Sequence, residues 1–429
     1  MLSRSSGRDG PRLSHLPALA LLAALITPAS ASPWTHCPHH PGGRLENKGS
    51  NVCHVPGKIG IVDDDSANEF SWSFPPRCMT QTPRDTNSTR IDCLFTSTEF
   101  RNQHGTSLVT SVTTASHLIG MDAFVDKPSP LQATKRESLG PAYEVRQVPG
   151  KGYGVIATRR IKAGEIVMVD FPAVLIEIAF LADTKPHHRR RILKQAINQL
   201  PEETRNKVYK LHRGSSKYEV DAILGPNTNT VVIAESEVHV GLFPEVARIN
   251  HSCRPNAFTR FSERRLTMEI VAYHEIKPGE EILISYVPLE TPVEQRRRYL
   301  RDNWGFECTC SLCRGPPDEL ENSESWRRKT KSLKETIADA KSSGYYKDAI
   351  VMAEELLMFS EWDRVPPFMP DYHDTLAHLH YLNGNMANAT RYGRMALDGW
   401  AKFGSVDDDD LEKAREFLEH LFHTHEKAT

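Results

Sequence analysis

Four cysteines in the second half of the chain carry the strongest chemical signal. Cys308, Cys310 and Cys313 crowd into "CTCSLC", and Cys253 lies far upstream in "RINHSCRPNA". A closed structural zinc site takes four sulfur or nitrogen ligands in a tetrahedron. The C-x-C-x2-C run supplies three, and Cys253 is the remaining cysteine on this side of the chain. The spacing predicts one zinc held by Cys253, Cys308, Cys310 and Cys313, which would clamp the downstream segment onto the upstream one. Two disulfides are the alternative, favoured by an oxidising compartment, although cysteines this tightly spaced make poor partners for one another. Beside Cys253 stand Asn250 and His251, a pair offering donors and acceptors together, with Arg248 just before them. The same residues could form a plain polar turn. Gly152 and Gly154 flank Tyr153, next to Lys151. Glycines let a backbone approach a ligand closely, although a lone GxG is more often an ordinary turn. Tyr286 ends "GEEILISY", in which Glu280 and Glu281 read as a salt bridge or turn, not as an acid–base pair. Phe306 lies two residues before the cysteine run, on the segment that a folded metal site would draw down.

These groups need a scaffold, and 429 residues allow two to four domains. A net charge of -2 argues against a bulk electrostatic nucleic-acid binder. At the front, Arg4, Arg8 and Arg12 precede the apolar run "LPALALLAALI" and the small-residue stretch "TPASAS". That layout predicts a signal peptide over 1–31 and a secretory or secreted protein. A mis-assigned start or an apolar arm is the rival reading, with nucleus or cytoplasm as the alternative location. The apolar run is too short to span a bilayer, and no other stretch suggests a span. Residues 32–125 contain Cys37, Cys53, Cys78 and Cys93, an even set that predicts two disulfides with three pairings open. Residues 126–142 read as a linker. From 143 to 288, short β-branched runs separated by glycine turns predict a mostly β domain. It is interrupted by a helical insert of about residues 180–240, where Ile192, Leu193, Ala196, Ile197 and Leu200 recur at helical spacing. Residues 320–429 are helical, and "GYYKDAIVMAEELL" aligns with "GNMANATRYGRMAL" at an offset of 40. Two such helix pairs suggest a tetratricopeptide-like domain able to hold a peptide partner. Their period exceeds the roughly 34 of that repeat, and a plain bundle is the alternative.

"GKGYG", "RINHSC" followed by "PN", "GEEILISY" and "WGFECTCSLC" occur in that order. Together they resemble the SET-domain protein-lysine methyltransferases with a post-SET zinc segment, here 300–316. The resemblance runs from about Tyr143 to Cys313. The insert and the helical tail look closer to the branch of that family with a long insertion and a repeat-like C-terminal domain, and the MYND zinc module common in some of those relatives is missing, since no cysteine lies between Cys93 and Cys253. The resemblance implies an α+β fold in which the Asn250–His251 segment threads a pseudoknot. It implies S-adenosylmethionine as cofactor, bound by Lys151, Gly152, Tyr153, Arg248, Asn250, His251 and Phe306. Tyr286 would be the catalytic residue, orienting a neutral lysine amine of a protein substrate for in-line attack on the methyl group. The signal peptide motivates a contrary reading, a secreted SET-like binding protein without turnover.

Overall fold

The computed structural model describes residues 72–81, 89–125, 141–234, 236–362, 368–405 and 407–426. The predicted signal peptide, most of the predicted linker, Cys37 and Cys53 lie outside the described residues.

The largest sheet is assembled from distant parts of the chain. Strands β1 (Arg77–Gln81), β2 (Arg90–Ser97) and β3 (Thr106–Ser111) form an antiparallel meander. β3 then pairs in parallel with β7 (Val174–Glu177), which is followed by β9 (Glu237–Leu242) and β8 (Thr228–Ile233). Strand alternation gives the sheet two apolar faces. Phe95, Leu108, Leu175 and Phe243 belong to one core. Leu94, Val109, Ile176 and Leu242 belong to the other. Helix α1 (Val112–Ile119) packs into the first core, and the insert covers the second face with α2 (Ile178–Asp183), α3 (Pro186–Asn198), α4 (Glu202–Tyr209) and α5 (Glu219–Asn227). Ile192, Leu193, Ala196 and Ile197 are the buried stripe of α3, as their spacing predicts. Cys78 and Cys93 sit opposite each other in the β1–β2 register and form a buried disulfide. The two pairings that join either residue to Cys37 or Cys53 are thereby ruled out.

Two smaller sheets carry the chemistry-bearing segments. One runs β10 (Asn250–His251), β13 (Glu281–Ile284), β5 (Gly152–Ala157) and β4 (Tyr143–Val148), with β10 parallel to β13. The other runs β11 (Ala257–Ser262), β12 (Thr267–Ala272) and β6 (Ile166–Asp170).

The chain continues into α6 (Val293–Trp304), α7 (Pro317–Ser342), α8 (Tyr346–Trp362), α9 (Met369–Leu382), α10 (Met386–Phe403) and α11 (Asp410–Glu426). The offset of 40 is visible as two helical hairpins with the same corner. After α7, Gly344 adopts φ +80° and Tyr345 N–H donates to the Ala340 carbonyl. After α9, Gly384 adopts φ +77° and Asn385 N–H donates to the His380 carbonyl. Glycine takes this left-handed cap without a Cβ penalty. Ala349 and Ala389 follow at fully buried positions, where small side chains let the helices approach. The helical body docks on the β region through the buried cluster Tyr273, Leu289, Trp326 and Phe359. On the far side, Ser262 Oγ donates to Asp407 Oδ1 at 3.0 Å.

Candidate functional site

The β4–β5 hairpin begins the site. Gly150 and Gly152 both have positive φ (+74° and +77°), so the turn around Lys151 depends on residues without a Cβ. Gly154 is needed for a different reason. A Cβ there would lie 2.7 Å from Glu281 Oε1, 2.7 Å from Val148 Cγ2 and 2.9 Å from Asn250 Nδ2. The second glycine of the GxG thus makes room for two side chains from elsewhere in the chain.

Those side chains form a small polar lattice. Asn250 Nδ2 donates to Glu281 Oε1 at 2.8 Å and to the Tyr153 carbonyl at 3.1 Å. The other carboxylate oxygen of Glu281 pairs with Lys151 Nζ at 2.6 Å. Asn256 locks the backbone beneath by donating to the Glu281 carbonyl (2.9 Å) and accepting from Leu283 N–H (2.8 Å). The turn at Val246–Arg248, which feeds β10, is held by Asp170. Its carboxyl accepts N–H from Glu245 (2.7 Å), Val246 (3.1 Å) and Phe171 (2.9 Å). Arg248 leaves that turn to donate to the Lys210 carbonyl at 3.0 Å, its guanidinium 5.7 Å from the ring centre of the exposed Tyr153.

His251 connects the lattice to the cysteines. Its Nδ1 accepts the Tyr286 backbone N–H at 3.1 Å. Burial pushes its pKa down to about 4, so the ring is neutral near pH 7. A neutral ring that accepts at Nδ1 carries its proton on Nε2, and Nε2 lies 3.3 Å from Cys253 Sγ. Both ring nitrogens are therefore engaged within the protein, which leaves the backbone and the ring face for contact with a ligand. Cys253 Sγ lies 3.7 Å from Cys308 Sγ and 3.6 Å from Cys313 Sγ. Together with Cys310 the four sulfurs lie within 4.8 Å of one another, a group able to hold a metal ion.

Tyr286 donates its hydroxyl proton to the Ile249 carbonyl at 2.7 Å. Burial raises its pKa above the usual phenol value, and the Glu281 charge acts in the same direction. Its ring centre lies 5.1 Å from that of Trp304 and 6.4 Å, edge-on, from that of Phe306. Trp304 is anchored by its indole N–H to the Pro226 carbonyl of α5 at 2.8 Å. Gly305, at φ +75°, ends α6. Phe306 follows it, with its ring 6.2 Å from His251. The structure thus groups Lys151, Gly152, Tyr153, Arg248, Asn250, His251, Tyr286 and Phe306 around the β10–β13–β5 edge, with the four cysteines directly behind. Sequence reasoning missed Glu281 as the hub of the lattice and Asp170 as the anchor of its approach. It left Gly154 without a specific task. The "GEEI" segment did flag a salt bridge, but not its partner.

Residues 152–287 match the model of the SET domain family, so this stretch of the chain is a SET domain. Human histone-lysine N-methyltransferase SMYD3 is 32% identical over 145 residues, 33% of this chain and 33% of that protein. Histone-lysine N-methyltransferase set5 of Schizosaccharomyces pombe is 27% identical over 188 residues, 44% of this chain and 55% of that protein. Human N-lysine methyltransferase SMYD2 is 42% identical over 90 residues, 20% of each chain. The chain thus spans from a fifth to just over half of the length of these curated relatives. A solved Plasmodium falciparum structure, described as a candidate histone methyltransferase, aligns with 34% of this chain and 93% of its own at 18% identity. The TM-score of that alignment is 0.19.

Proposed function

We propose that the chain is an S-adenosylmethionine-dependent protein-lysine N-methyltransferase with a structural zinc. The observation that carries this reading is the coincidence of the SET match with the grouping of the Gly152 turn, the Asn250–His251 segment and Tyr286. The cofactor fits the residues present. Gly152 carries no Cβ and has open space beside it, which permits close approach to its backbone, and Lys151 and Glu281 offer opposite charges to a zwitterionic amino-acid end. Bound there, it would supply an electrophilic methyl group on a sulfonium sulfur.

The chain's own residues would do the rest by positioning, the main source of acceleration in such a transfer. The surround of Tyr286, Trp304 and Phe306 would exclude water and so disfavour an ammonium ion by desolvation, and a lysine would leave its proton with solvent water before its neutral amine enters. Tyr286 keeps its own proton, because its pKa is raised, and spends it on the Ile249 carbonyl. The phenol oxygen remains an acceptor and would hold the amine by one N–H, aiming the nitrogen lone pair. Tyr286 thus orients and does not act as a base.

Zinc fits the four cysteines. Tetrahedral Zn–S bonds of about 2.3 Å place sulfurs about 3.8 Å apart, and Cys253 lies 3.7 and 3.6 Å from two of its partners. A disulfide would need about 2.05 Å. A peptide partner would have a cleft of about 430 Å³ in the helical body, lined by Lys341, Asp371, Asp374, His378, Trp400 and Lys413. Maturation in an oxidising compartment is the location we favour, supported by the buried Cys78–Cys93 disulfide.

The test is calorimetric titration with S-adenosylmethionine, together with transfer of labelled methyl from it to a protein extract. Saturable binding and lysine labelling are expected. A zinc-loaded, folded protein that binds no cofactor would refute the reading.

A further inference from the structure

Behind Cys253 lies a buried charged cluster that the proposed reaction does not use. Arg296 on α6 is only 1% exposed. Its Nε donates to Cys253 Sγ at 3.1 Å, its Nη1 to the Thr291 carbonyl at 2.6 Å, and its Nη2 to Glu324 Oε1 at 2.9 Å. Glu324 belongs to α7, the first helix of the C-terminal body, and its other oxygen accepts Val293 N–H at 2.7 Å. Arg327, one turn further along α7, donates from Nη2 to the Cys253 carbonyl at 2.8 Å. Both guanidiniums therefore converge on one cysteine, one on its sulfur and one on its backbone.

Arg296 and Arg327 set two buried guanidiniums beside Cys253, and positive charge in a low-dielectric interior is costly unless negative charge balances it. Four neutral thiols would not. Four thiolates around a divalent metal carry a surplus of about two negative charges, and the Arg296 N–H points at one of those sulfurs. Outer-shell donors of this kind orient metal ligands and tune their basicity.

We propose that Arg296 is a positioning residue of the four-cysteine metal site. It stabilises the Cys253 thiolate by an N–H···S bond and, through Glu324 and Arg327, couples metal binding to the docking of α7. The inference rests on the metal reading given above. Metal loading would then order the start of the C-terminal helical body as well as the post-SET segment.

The test uses the full chain with its Cys78–Cys93 disulfide intact, loaded with zinc or cobalt(II). Chelator competition should show Arg296→Gln binding zinc about 10–100-fold more weakly, with Arg296→Lys recovering part of the loss by keeping the charge. In the cobalt form, loss of the N–H···S bond raises the sulfur lone-pair energy, so the thiolate-to-cobalt charge-transfer band should move to lower energy. In wild type, stripping the metal should speed amide exchange across residues 317–327. If wild type binds no metal, the four-cysteine reading itself fails. If wild type binds one metal but Arg296→Gln leaves affinity and band unchanged, the role of Arg296 is overturned while the metal site stands. Should both variants fail to fold, exchange in wild type decides, and indifference of 317–327 to metal refutes the coupling.

Discussion

Gly154→Ala isolates the glycine that makes room for the polar lattice. The new Cβ would meet Glu281 Oε1 and Val148 Cγ2 at 2.7 Å and Asn250 Nδ2 at 2.9 Å. Ordinary contacts of a carbon lie near 3.5–4.0 Å, so each neighbour must give by roughly 0.6–0.8 Å. A retreat of that size along the Asn250–Glu281 line would stretch a 2.8 Å bond to about 3.5 Å, beyond useful hydrogen-bonding range. Overpacking of this kind costs about 1–3 kcal/mol, and a hydrogen bond to a charged group contributes about 1.5–3 kcal/mol. The same movement causes both losses, so they overlap, and a net fall of about 2 kcal/mol in stability is expected. At about 2–4 °C per kcal/mol, the melting temperature should drop by about 4–8 °C. Cofactor affinity should fall about tenfold or more, since 1.4 kcal/mol of lost orientation suffices for that. Scanning calorimetry and titration with S-adenosylmethionine measure the two effects. In a Glu281→Ala background the same substitution should cost less, with a coupling of at least about 0.5 kcal/mol, because two of the three obstructing atoms belong to that pair or depend on it. A Gly154→Ala protein with wild-type melting and wild-type affinity would show that the lattice does not shape the site.

Tyr286→Phe should slow methyl transfer by roughly 10²–10³ while changing cofactor affinity only a few-fold; equal losses in both would remove its orienting role. Asn250→Ala should do the reverse, weakening cofactor binding first, as read by calorimetry. Cys310→Ser, made under reducing conditions, should bring metal content from one per chain to well below that and lower cofactor affinity with it; full metal content would break the ligand set. Cys78→Ala with Cys93→Ala should cost about 2–4 kcal/mol of stability in denaturant titration, since the bond closes a 15-residue separation; an unchanged midpoint would mean the thiols are not joined in solution.

Different parts of this structure were legible to different degrees, for physical reasons. The cysteine cluster could be read because three cysteines lie within six residues and the fourth followed by elimination. The insert helices could be read because Ile192, Leu193, Ala196 and Ile197 repeat at the period of the surface they bury. The helical hairpins showed through Gly344 and Gly384, whose positive φ restricts the residue type. The large sheet left no such trace. Ser107 pairs with Val174 and Leu108 with Leu175, and a contact across that much chain has no local periodicity. Residues before the linker therefore share a sheet with residues after it, which composition alone does not suggest. Arg296 was hidden in the run "RRR", where a solvated face is the natural reading. Its position gives a signal all the same. Val293, Arg296 and Leu300 are the buried residues of α6, so a charge stands in the apolar stripe of an amphipathic helix. Such a residue calls for a buried partner, here Glu324 and a sulfur.

The placement of an amide, an imidazole and a thiol within four residues follows from how β10 is held. Asn250 and His251 are consecutive in a strand, so their side chains leave on opposite sides. One side meets Glu281 and the glycine turn, the other meets Cys253. The histidine then has one tautomer available, because the Tyr286 N–H occupies Nδ1. Its Nε2–H needs an acceptor in a place that burial has closed to water, and the Cys253 sulfur is that acceptor. A thiolate accepts better than a thiol, so a metal that ionised Cys253 would also hold His251 in this orientation. His251 in turn fixes the backbone of Tyr286, whose hydroxyl reaches back to Ile249 two residues before the histidine. The loop of dependence closes on itself. A perturbation at the cysteines therefore reaches Tyr286 through two hydrogen bonds and one ring, without any large movement of the fold.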